Sequence, residues 1–130
     1  MHIDDDQFAK WTKVAITLLP PRFREALDNI AIDVESTPSP QTKRKIGLRR
    51  GQVLFGLYVG VPLTQRDTNY GVGGAIPDKI VLYKENIERF CRTPEEVRDQ
   101  LVDTLFHEVG HYFDMNEAQL REIEFPGSED

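Results

Sequence analysis

Cysteine is nearly missing from this chain: Cys91 is the only one in 130 residues. No intrachain disulfide can form, no metal cluster built from several thiolates is possible, and Cys91, with no histidine near it, reads as an inert thiol. Long apolar runs are missing too, since nothing approaches the roughly 20 residues that cross a bilayer. The start, MHIDDDQF, has neither the basic head nor the apolar stretch of a signal peptide. Both absences point to a cytoplasmic protein with no membrane partner. Positive charge is scarce, with 16 Lys and Arg against 22 Asp and Glu and a formal net charge of −6. That balance speaks against a general nucleic-acid binder, which needs clustered cations to neutralise phosphates. Histidine is scarcer still. There are three, and two of them lie within five residues of each other.

What is present suits one domain over residues 1–130, with 39% hydrophobic and 29% charged residues. Asp6 can cap a helix in which Phe8, Trp11, Val14 or Ala15, and Leu18 recur at helical spacing. Pro20 and Pro21 end it, and Pro21 suits the first position of a second helix through about Asn29. Strands are expected at about 30–35, at 53–61 (VLFGLYVGV) and at 79–84 (KIVLYK), where β-branched and aromatic residues gather. Residues 36–51, STPSPQTKRKIGLRRG, read as a long, mobile, exposed loop, and residues 126–130 as a frayed tail. Within that loop, KRKIGLRR at 43–50 carries five basic side chains, enough to meet an acidic partner. Thr93, Pro94 and Glu96 then open a helix expected to run to about Phe113: a cap, a proline at the first position, and a glutamate three residues after the cap.

That helix carries HEVGH at 107–111. Residues four apart share a helix face, so His107 and His111 can grip one ion, and neutral imidazole is a good zinc ligand. On a helical wheel the two histidines share a polar stripe with Asp103 and Thr104, while Leu101, Leu105, Phe106 and Val109 form the face that docks on the sheet. Glu108, about 100° round from His107, is placed to act as a catalytic base on metal-bound water. A catalytic zinc needs a third protein ligand. Glu117, six residues after His111 and past a turn, is the favoured candidate, with Asp114 the alternative; Asp114 also suits the tight turn itself.

HEVGHYFDMNE at 107–117 resembles the metzincin-like pattern His-Glu-x-x-His-x-x-Gly-x-x-ligand. The chain is more similar still to the minimal zincin family of small bacterial metallopeptidases, once a domain of unknown function. That likeness runs through LFGLYVGVPLTQR at 54–66, IPDKIVLYKENIERF at 76–90 and TPEEVRDQLVDTLFHEVGHYFDM at 93–115. The resemblance implies an α+β (α/β) minimal zincin-like fold, with a short mixed sheet of about three strands packed against the active-site helix. It implies one zinc ion held by His107, His111 and Glu117, Glu108 as base, and a peptide or protein substrate. Asp114 stands where the family usually has Gly, and no methionine beyond Met115 is available for a separate Met-turn. The expected function is thus a zinc-dependent metallopeptidase. The rival is a metal-stabilised binding module without turnover that uses the basic run 43–50.

Overall fold

Among the described residues, three of the five α-helix starts carry a proline or a side-chain cap, and Asp6, expected to cap the first helix, lies within it instead. The computed structural model describes residues 2–60, 78–113, 115, 118 and 119. Helix α1 spans Asp5–Leu18 and buries Phe8, Thr12 and Ala15, so Ala15 rather than Val14 is the inward residue of that turn. Pro21 opens α2, Pro21–Ala26, which passes through a 3-10 turn at Leu27–Asn29 into strand β1, Ala31–Glu35. Helix α3, Pro40–Ile46, follows. Strands β2, Gly56–Val59, and β3, Lys79–Tyr83, are succeeded by α4, Lys84–Arg89, and by the long α5, Pro94–Tyr112.

The segment 36–51, expected as an exposed loop, therefore contains a helix. Its signals are local. The Ser39 side chain accepts from the Thr42 amide at 3.1 Å, Pro40 takes the first helical position, and Gly47 closes the end at φ 72°, a left-handed conformation that favours glycine. Helix α4, which the apolar pattern of 79–84 hides, begins where β3 ends.

The sheet order is β1-β3-β2, with β1 parallel and β2 antiparallel to β3. On one face, Ile80 and Leu82 of β3 are fully buried with Leu101, Leu105 and Val109 of α5 and with Phe8 and Ala15 of α1. Phe23 of α2 lies 5.4 Å from Phe106 and 5.0 Å from Phe113, ring centre to ring centre, and ties α2 to the same helix. The expected α+β fold, a short three-stranded mixed sheet against the HEVGH helix, is the one observed. No helix among the described residues is long and apolar enough to cross a membrane.

Helix α5 begins as its sequence predicts. The Thr93 side chain accepts from the Glu96 amide at 3.1 Å, and the Glu96 carboxylate accepts from the Arg92 amide at 2.9 Å. The burial of Leu101, Leu105 and Val109 sets the rotation of this helix and so the direction in which HEVGH points.

Candidate functional site

His107, Glu108 and His111 sit in the last turns of α5, beside β2. Tyr83 donates its amide to the Phe55 carbonyl at 2.9 Å, which makes 55 and 83 a hydrogen-bonded pair. Leu57 and Val59 therefore turn their backbone groups toward β3, while Gly56 and Tyr58 turn theirs outward. The outward Tyr58 amide donates to Glu108 Oε1 at 2.7 Å. Glu108, only 8% exposed, thus caps an edge amide of the sheet instead of standing free beside an ion.

Gly56 makes this approach possible. A Cβ there would lie 2.6 Å from Thr104 Cγ2, 3.2 Å from the Val81 carbonyl oxygen and 3.3 Å from Glu108 Cγ. Only a residue without a side chain lets β2 settle this close to α5.

The two histidines are differently held. His107 Nδ1 lies 2.8 Å from the Asp103 carbonyl oxygen and 3.5 Å from Asp103 Oδ1. A carbonyl only accepts, so Nδ1 carries the proton in this tautomer and Nε2 the lone pair. His111 Nδ1 lies 3.2 Å from Glu108 Oε1, the same oxygen that receives the Tyr58 amide. The His111 side chain is half exposed and that of His107 less so. Tyr112 meets Tyr58 edge to face, 6.0 Å between ring centres, and Tyr58 Oη donates to Asp78 Oδ1 at 3.0 Å.

This donor set does not by itself make a zinc site. A catalytic zinc takes three protein ligands, whereas the described residues bring two imidazoles to this face, and the Glu108 carboxylate is engaged by β2 and His111. Among the described residues, no group of three or more His, Cys, Asp or Glu side chains could hold a metal ion. Several expectations are corrected on that ground: the zinc ion, the zinc-dependent hydrolase or metallopeptidase with Glu108 as base, and the metal-stabilised binding module. Glu117 and Asp114, the two candidates for a third ligand, lie outside the described residues.

Sequence reasoning placed Thr104 on the stripe of the histidines but missed Tyr58 and Gly56 as members of this site. No local signal marks those two, because their roles arise from how β2 docks on a helix some 50 residues later. Tyr83, unplaced by sequence, belongs to the opposite face of the sheet. Its phenol is held above the usual tyrosine value by burial first, then by the charges of Glu35 and Glu108.

No curated protein matches the chain in sequence. Among solved structures, a conserved hypothetical protein from Thermo thermophilus is similar with a TM-score of 0.57 and 17% identity, over 85% of this chain and 94% of that one. That likeness concerns the fold alone. A sequence profile described as zincin-like metallopeptidase matches residues 27–126, a span that includes the sheet, α5 and the whole HEVGH motif, and by that match the chain belongs to the zincin-like metallopeptidase family.

Proposed function

We propose that this domain binds an extended stretch of another polypeptide along the outer edge of β2, without a metal, in the cytoplasm. One observation carries the reading. Among the described residues β2 is an edge strand, and its outward Tyr58 amide already holds an oxygen of Glu108 where the carbonyl of an added strand would sit. Strand addition draws its affinity from such main-chain hydrogen bonds and its selectivity from the side chains that flank them. An incoming carbonyl takes over the Tyr58 amide, and the displaced carboxylate keeps its partner in His111. The half-exposed His111, the more buried His107 and the Tyr58–Tyr112 pair line the α5 side of the bound strand.

The test is an array of unstructured ten-residue peptides, followed by affinity measurement on the binders. Glu108→Ala removes the competitor for the Tyr58 amide. Since a hydrogen bond contributes net about 0.5–1.5 kcal/mol, this variant is expected to bind the same peptides about 2–10-fold more tightly. Hydrogen exchange at the Gly56 and Tyr58 amides should slow when peptide is bound, and prior dialysis against a chelator should change nothing. Peptides that protect amides elsewhere, or weaker binding by Glu108→Ala, would overturn the proposal. A loss of affinity on chelation would show that a metal takes part and overturn the metal-free reading.

A further inference from the structure

Helix α3 lies over the outer face of the sheet and buries none of its own residues. Between them lies a cavity of about 490 Å³, within the range of small-molecule sites. Its floor is apolar, formed by Leu57, Val59 and Val81. Thr42, Lys45 and Ile46, spaced three and four apart on α3, share the helix face that closes it.

Among the described residues, three polar groups in the lining have no hydrogen bond or ion pair: the Tyr83 hydroxyl, the Lys45 ammonium and the Glu35 carboxylate. Tyr83, 2% exposed, belongs to the lining, and its hydroxyl makes no hydrogen bond to any described residue. No fully buried side-chain nitrogen or oxygen among the described residues lacks a partner, so this hydroxyl still reaches solvent. With its ionisation suppressed by burial and by Glu35 and Glu108, it is a donor at neutral pH. Lys45 likewise makes no ion pair among the described residues, whereas Lys79, the other lysine of the lining, lies 3.7 Å from Asp33. An apolar body is thus offered a floor of aliphatic side chains, and an anionic head is offered an ammonium and a phenolic donor.

We propose that this cavity is a binding site for a small amphipathic carboxylate, an aliphatic chain on the order of ten carbons by the size of the space. The tail lies on Leu57, Val59 and Val81 beneath Ile46. The carboxylate pairs with Lys45 and accepts from the Tyr83 hydroxyl, and these two outweigh the opposing charge of Glu35, the strand neighbour of Tyr83. This site faces away from α5 and does not depend on the peptide reading of the β2 edge.

The experiment is a titration of the full chain with decanoate, decan-1-ol and decylammonium, followed by nuclear magnetic resonance shifts of backbone amides. Decanoate is expected to give saturable shifts centred on Leu57, Val59 and Ile46, and to bind at least about fivefold more tightly than the alcohol, because hydrogen bonds to a charged group are about twice as strong as neutral ones. Decylammonium should bind least. Lys45→Glu is expected to weaken decanoate about tenfold and leave the alcohol unchanged. Tyr83→Phe, which keeps the ring and the fold, should weaken it about threefold by loss of one hydrogen bond. Shifts that never saturate or that scatter over the surface would overturn the site. Unchanged decanoate binding by Lys45→Glu, or equal binding of the three probes, would overturn the assignment of an anionic ligand.

Discussion

Ile80 and Leu82 turn toward α5 and are fully buried against Leu101, Leu105 and Val109. The alternate residues of the same sheet, Leu57, Val59 and Val81, look instead onto α3 across a cavity. One face is thus closed by a 19-residue helix with a continuous apolar stripe, the other by a seven-residue helix whose last turn is Lys43, Arg44 and Lys45. The closed face holds the domain together, and the open face contributes little to its stability. Apolar surface buried between closely packed elements stabilises the fold in proportion to its area, whereas a helix that buries nothing adds little.

The largest expected effect tests that contrast directly. Leu105→Ala, on the closed face, should cost about 2–5 kcal/mol through lost burial and the cavity left behind. Ile46→Ala, on the roof of the open face, should stay within about 0.5 kcal/mol. Urea unfolding of the two variants measures both, and similar losses would sink the comparison.

A smaller effect should mark the seam where β2 meets α5. Gly56→Ala places a methyl 2.6 Å from Thr104 Cγ2, and Thr104 is itself buried, so neither side can swing clear. The expected loss is about 1–3 kcal/mol. Thr104→Ser removes the offending methyl, so the double variant should recover part of the loss in a double-mutant cycle. Strict additivity would mean that the strain lies in the contact with the Val81 carbonyl.

The smallest effect appears only at high pH and compares the open face with the ion pair at the end of β3. Burial raises the Tyr83 phenol, with Glu35 and Glu108 adding to it. At Lys84 burial pulls the ammonium down, but the bonds it donates to Glu88 at 3.0 Å and Asp5 at 3.1 Å outweigh it and hold the group above its ordinary value. Both folded values exceed the unfolded ones, so their stabilisation is complete below about pH 10 and is lost as pH rises through the folded values. The melting temperature should therefore fall above about pH 10. The Cys91 thiol, raised by burial and then by Glu96, adds to the same fall. Tyr83→Phe and Lys84→Met should each flatten part of the decline, and a parent protein whose stability rises over that range would contradict the assignment.

Much of the framework was legible because its causes are local. Thr93, Pro94 and Glu96 announce α5 at its first turn, Pro21 announces α2, and the β-branched runs at 30–35 and 79–84 mark β1 and β3 to within about a residue. Helix α3 was equally local in cause, but its serine cap and closing glycine are masked by a composition that reads as loop. The extent of β2 was overestimated at both ends for a tertiary reason: only four residues find β3 in register.

The amino-acid order alone places His107, Glu108 and His111 at one end of a helix, because a 3.6-residue repeat needs only the spacing between them. It also determined which face of that helix is apolar. What Glu108 does with its carboxylate was decided only in the folded chain. The Tyr58 amide that engages it comes from a strand 50 residues earlier, and whether that amide points toward β3 or outward depends on a register that slips every group to the other side with a shift of one residue. The cavity under α3 is of the same kind. No single segment specifies it, since it is the space left when a short helix with no buried residue is laid over a sheet whose other face is already packed.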